Sequence, residues 1–344
     1  MKSKVILLIL IWVSLNVYGQ AYRLADIEEE PGINRKVRRL VQEMDLIARS
    51  TRDLETFGFA SIVQARELYG MGEKALPEML RQIKNKSLHS NLRFDMISHL
   101  GYFGYVRKKY LKEVIDSLGK MLLDKSEDPS VRNGICGYFF EVVKDTHATS
   151  YLIQVMEDKS NPERVRWWAA HAFVFIPDER AVKPLLKNLD EDPSMEVKKI
   201  SISALGAIGR KTGNKDMVPK LMGIVEDKGR NPLRYFAISA LGAMKEDRLV
   251  PLLTQSIKNK DKRDFDVVIW ALGNIGTPEC KEALLQLLKD EDEGVRYDAA
   301  LSLLKMRDKS VIPAIESVIP TFNSSGFRKV ISDSLNNLIR RGQK

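Results

Sequence analysis

Apolar residues return along this chain at three- and four-residue steps, the spacing that gives a helix one apolar face. The blocks also resemble one another. Val197-Lys-Lys-Ile-Ser-Ile-Ser-Ala-Leu-Gly-Ala-Ile-Gly209 comes back as Leu233-Arg-Tyr-Phe-Ala-Ile-Ser-Ala-Leu-Gly-Ala-Met244. It returns around Trp270-Ala-Leu-Gly-Asn-Ile-Gly276 and in Val295-Arg-Tyr-Asp-Ala-Ala-Leu-Ser-Leu-Leu-Lys-Met306. With Leu205 as anchor, equivalent positions are Leu68, Leu100, Phe139, Phe173, Leu241, Leu272, Leu303 and Leu335, at steps of 31 to 39 residues. A period of that size predicts a solenoid, in which each unit buries its apolar face only against its neighbours. The expectation is all-α: a right-handed α-solenoid of about nine helix pairs over residues 35–344.

Each unit divides in two. A first helix carries proline in its opening turn, where a missing N–H costs nothing: Pro77, Pro184, Pro219, Pro251 and Pro313. An acidic turn follows, as in Asp190-Glu-Asp-Pro193 and Asp290-Glu-Asp-Glu-Gly294. The second helix opens on Val or Leu and a base (Leu92-Arg93, Val131-Arg132, Val165-Arg166, Leu233-Arg234, Val295-Arg296). Glycines at 104, 209 and 276 read as its end.

The first-helix proline, the Asp-rich turn, the Val-Arg pair and the Ala-Leu-Gly-x-Ile-Gly ending resemble the HEAT repeat, in the short subtype of phycobilin-lyase-like proteins. The resemblance runs from about residue 55 to residue 340 and is densest between 160 and 310. It implies a solenoid of HEAT-like helix pairs. It leaves function open, because such repeats serve scaffolds, adaptors, lyases and nucleic-acid enzymes.

The amino terminus departs from the repeat. Lys2 and Lys4 precede an apolar run, Val5 to Val17, too short to span a bilayer but suited to a secretory signal over residues 1–19. Residues 20–34 lack periodicity and read as a flexible lead-in. Export places the protein in the periplasm or outside a bacterial cell. Cleavage after Gly19 would remove two lysines and lower the formal charge from +9 to +7, a weak field for nucleic acid. Cys136 and Cys280 lie five units apart, beyond disulfide reach, and show no metal-ligand spacing.

Asp128, Asp192 and Asp292 recur with Arg93, Arg132, Arg166, Arg234 and Arg296, unit after unit. Recurrence points to a structural ladder of caps and ion pairs rather than to acid–base catalysis. His89, His99, His147 and His171 form no ligand pattern, so no metal and no cofactor is expected. One constellation stands out. On the second helices, counted from the Val or Leu, positions 3, 4, 7 and 11 oppose the core and would line a concave face. They hold Phe94, Tyr102, Trp167, Trp168, His171, Phe175, Tyr235, Phe236, Trp270 and Tyr297. Asp95, Glu141, Asp266 and Asp298 there offset Lys199, Lys305 and Lys329. Aromatics of this density mark an interaction surface, although those at position 4 could pack between repeats. The expectation is an exported, non-catalytic scaffold or adaptor gripping a protein or peptide partner, with no nucleic acid and no membrane span after signal cleavage. A HEAT-like lyase or ligand-binding enzyme is the first alternative, and a nucleic-acid binder the second.

Overall fold

The computed structural model describes residues 31–51, 61–106, 108–139, 145–227, 229, 231–259 and 264–340. The expected signal, residues 1–19, lies outside them. The described residues form nine helix pairs and no strand. The first helices are α1 (Pro31–Ser50), α3 (Leu76–Ile83), α5 (Lys108–Leu123), α7 (Thr149–Glu157), α9 (Val182–Glu191), α11 (Val218–Glu226), α13 (Val250–Lys258), α15 (Pro278–Leu287) and α17 (Ile312–Val318). Their partners are α2 (Ile62–Gly70), α4 (Ser90–Val106), α6 (Pro129–Gly134), α8 (Glu163–Phe175), α10 (Met195–Thr212), α12 (Arg234–Ala243), α14 (Phe265–Ile275), α16 (Glu293–Lys305) and α18 (Ser325–Arg340). A π-helical turn, Ile135–Phe139, extends α6. Helix α1 opens at Pro31, ahead of the Arg35 start read from the sequence, so the end of the lead-in is already helical.

Every anchor with a described side chain is buried, from Leu68 and Leu100 through Phe173, Leu205, Leu241, Leu272 and Leu303 to Leu335. From α4 onward, consecutive second helices pack directly on one another. The glycine that follows the anchors Leu205, Leu241 and Leu272 explains how closely. A Cβ on Gly206 would stand 2.8 Å from the Ala240 Cβ, one on Gly242 2.7 Å from that of Ala271, and one on Gly273 2.7 Å from that of Ser302. The Ala-Leu-Gly motif therefore brings helix backbones together, a role the sequence alone did not disclose.

Only one of the three glycines read as helix ends has that role. Gly276 adopts φ +76° and caps α14. Gly104 and Gly209 lie inside their helices. Helix α10 runs on to Thr212 and is closed by Gly213 at φ +80°, while a Cβ on Gly209 would strike the Met244 side chain. Cys136 and Cys280 are both buried free thiols.

Candidate functional site

Two sets of residues stand out, one charged and one aromatic. The first lies at the turns. Arg93, Arg132 and Arg166 open their second helices and are buried. Arg93 donates from Nη1 to Glu127 Oε1 at 2.6 Å and from Nη2 to the other carboxylate oxygen. Arg166 grips Asp192 of the next turn, Nε to Oδ2 at 2.9 Å and Nη2 to Oδ1 at 3.0 Å. Arg234 reaches Asp264 at 2.9 Å. Asp192 also accepts from the Ser194 N–H at 2.9 Å, so one carboxylate both pairs with arginine and orders the turn before α10. Burial works against its charge, but the bonds from Arg166, Ser194 and Lys159 outweigh it and hold the carboxyl below its usual value.

The ladder's aspartates divide between its two roles, caps and ion pairs. Asp128 accepts from the Ser130 N–H and Asp292 from the N–H groups of Gly294 and Val295, which makes both helix caps rather than arginine partners. Arg132 meets the amide oxygen of Asn161 at 2.7 Å. Arg296 donates to the backbone carbonyls of Asp290, Glu291 and Thr321.

The second set lies on the face of the second helices. Of the aromatics expected there, Tyr235 and Trp270 are exposed, at 39% and 38%. Phe94, Trp167, Trp168, His171, Phe175, Phe236 and Tyr297 are half-buried. The side chain of Tyr102 lies outside the described residues. Trp168, Phe236 and Tyr297 pack against the core, the alternative that position 4 left open for two of them. Glycines receive the large rings: Phe94 fills the space beside Gly134, and Trp168 that beside Gly137. Tyr297 stacks on Phe327 of the next unit, centroids 4.0 Å apart. Trp167, Trp168, His171 and Phe175 form one contiguous aromatic cluster, and burial lowers the His171 pKa.

Between α12, α14 and α16 this face opens into a cavity of about 350 Å³. Tyr235 and Trp270 wall it, Asp266 and Asp298 bring carboxylates to it, and Ser239 and Ser302 add hydroxyls. The Tyr235 hydroxyl donates to Asp266 Oδ2 at 3.3 Å. Burial, then the Asp266 charge, raises the Tyr235 pKa and keeps the phenol neutral as a donor. Burial likewise pushes the Asp298 carboxyl above its ordinary value, reinforced by the carboxylates of Asp266 and Asp292. Lys305 stands 5.4 Å from the Trp270 ring, its ammonium tied to Asn274 Oδ1 at 2.6 Å. Two carboxylates at one aromatic-walled cavity can hold a cationic group, and the carboxyl of raised pKa can give up or take a proton. Among the described residues no group of three or more His, Cys, Asp or Glu could hold a metal ion. No helix among them is long and apolar enough to cross a membrane.

Residues 115–206, 183–265 and 266–336 each match the HEAT-repeat family. The chain belongs to that family. Over 224 residues this HEAT-repeat protein is 23% identical to the deoxyhypusine hydroxylase of Candida albicans, covering 56% of this chain and 70% of that enzyme. Among solved structures it resembles YibA of Escherichia coli (18% identity, 92% of this chain, 99% of that one, TM-score 0.48). It also resembles the phycocyanin lyase complex of CpcE and CpcF from a Nostoc species (18%, 76% and 94%, TM-score 0.43). Human deoxyhypusine hydroxylase, solved with glycerol, gives 18%, 80%, 97% and a TM-score of 0.31. The sequence pointed to a non-catalytic scaffold. A HEAT-repeat relative that is an enzyme corrects this, and with it the expectation that the chain has no enzymatic activity.

Asp266 and Asp298 were visible in the sequence as charges offsetting the lysines, yet they were not assigned to a site. The available signal was their register: they occupy positions 3 and 4 of their helices, the same rows as Tyr235 and Phe236.

Proposed function

We propose that this protein is a HEAT-like ligand-binding enzyme acting on a cationic group, carried on a protein or peptide, at the cavity between α12, α14 and α16. The observation that carries this reading is the meeting of Asp266 and Asp298 with the exposed rings of Tyr235 and Trp270 around one cavity. In it the Trp270 face and the Asp266 carboxylate hold the cation. The neutral Tyr235 hydroxyl orients that carboxylate. Asp298, with its raised pKa, handles the proton. The enzymatic relative supports the enzyme part of the reading. Export belongs to the same proposal and rests on Lys2, Lys4 and the run from Val5 to Val17; amino-terminal sequencing of mature protein should begin near Gln20.

The test uses full-length protein and its Asp298→Asn variant as baits on an envelope fraction, with intact-mass analysis of what is captured. Both should capture the same protein, and only wild type should change its mass on incubation. Capture without any mass change by wild type would remove the enzyme reading. Capture unaffected by Asp266→Asn and Trp270→Ala would remove this site.

A further inference from the structure

Two rungs of the ladder lack a carboxylate partner: Arg296, half-buried, which donates to three backbone carbonyls, and Arg132, which is buried. Arg93, Arg166 and Arg234 each meet a carboxylate. Arg132 is as buried as Arg93 and Arg166. It donates from Nε to the Leu122 carbonyl at 2.8 Å and from Nη2 to Asn161 Oδ1 at 2.7 Å, and neither acceptor is charged. Asn161 is held in place by its own bond to the Val155 carbonyl at 2.9 Å. The third nitrogen, Nη1, donates to no described residue.

The carboxylates around Arg132 are committed elsewhere. Asp124 accepts from Lys86 at 2.6 Å. Glu127 belongs to Arg93. Asp158 pairs with Lys125 at 2.6 Å. Burial pushes the Cys136 thiol up, so it stays neutral beside the guanidinium. Burial also lowers the Arg132 pKa, and the more distant charges of Asp124, Asp158 and Glu127 only partly offset it. A buried charge left unpaired is costly. Arg132 also lines a cleft of about 520 Å³ at the turn edge, with Leu123, Lys125, Gln154, Glu157, Asp158 and Asn161 as its other walls.

We propose that this cleft is a carboxylate-binding site, in which an acid from outside the chain takes the place that Glu127, Asp192 and Asp264 fill on the paired rungs. The guanidinium offers Nη1 in the plane that a carboxylate oxygen prefers. Lys125 stands at the mouth paired with Asp158, so the guanidinium is the charge that an incoming acid meets. Glu157, exposed at the rim, is the internal rival for the same position.

The experiment is a set of thermal melts and calorimetric titrations on full-length protein at fixed ionic strength, with acetate replacing chloride. Wild type should melt at least 2 °C higher in acetate, and Glu157→Gln should respond more strongly. Asn161→Asp supplies the missing carboxylate internally. It should melt higher than wild type in chloride and lose the acetate response. An Asn161→Asp that keeps the full response would place the ion elsewhere and overturn the proposal. So would acetate indistinguishable from chloride in wild type and in Glu157→Gln. A second arm uses N-acetylglutamate amide. Binding at least tenfold tighter than acetate would mark a peptide side chain as the source, and equal binding a free small acid; either outcome supports the site.

Discussion

The turn edge and the second-helix face are both dressed with Asp, but the two regions use it in opposite ways. At the turns the buried carboxylates meet an arginine or a helix N-terminus, and the arginine pairing recurs in three units, at Arg93, Arg166 and Arg234. On the face, Asp266 and Asp298 stand near each other with no arginine between them, and the Asp298 pKa rises where that of Asp192 falls. A charge that is repeated and neutralised maintains the stack. A charge that is local and uncompensated raises the energy of the fold, and it persists where a ligand or a proton completes it.

This contrast breaks most visibly at Asp192. Asp192→Ala strands the buried Arg166 and removes the Ser194 bond, so it should destabilise by about 3–5 kcal/mol, read by chemical denaturation. On the face, Trp270→Ala should leave the melt nearly unchanged and weaken partner capture more than tenfold, about 2 kcal/mol for a Trp anchor. A Trp270→Ala variant that unfolds would show the ring to be packing between repeats. The glycines offer a second contrast. Gly242→Ala meets Ala271 and should cost about 1–3 kcal/mol. Gly223→Ala, in a helix with nothing within 4 Å, should gain about 0.5–1 kcal/mol.

Smaller effects sharpen the comparison through pH. Asp298→Asn should stabilise the protein by about 0.5–2 kcal/mol at neutral pH while abolishing turnover. That gain should shrink as the pH falls into the acid range, because protonated Asp298 no longer carries the buried charge. Glu246 behaves in the opposite sense. Its bond to Arg248 and its pairing with Lys215 hold its pKa down to about 2, against an ordinary 4.5. Its contribution is present above the ordinary value and should fade as the pH drops toward 2; Glu246→Gln should flatten that part of an acid-denaturation curve.

Much of the fold was legible because a solenoid writes its core into a period. Leu205, Leu241 and Leu272 are found from spacing alone. The ladder partners were not, because the turns differ in length: Arg93 reaches Glu127, 34 residues on, while Arg166 reaches Asp192 after 26. The face was half legible. Helical geometry puts Trp168 and Trp270 on the same side, and each ring has a glycine beside it, Gly137 and Gly242, but only the structure shows that Trp168 packs on into the core while Trp270 stays exposed. The cavity was hidden for a related reason. Tyr235, Asp266 and Asp298 come from three different units and are brought together by stacking rather than by any local motif.

The close contact of second helices through glycine has a consequence for chain length. Gly242 faces Ala271 and Gly273 faces Ser302 across nearly the same gap, and Leu241, Leu272 and Leu303 follow at equal steps of 31 residues. Each of these joints presents the same small-residue seam to the unit that follows it. Excising one whole period rejoins two matching seams, whereas removing a fraction of one sets a side chain against a glycine and jams the joint. The number of units can therefore be edited in whole steps, and only the cavity, which draws on three successive units, fixes how many must remain in that stretch.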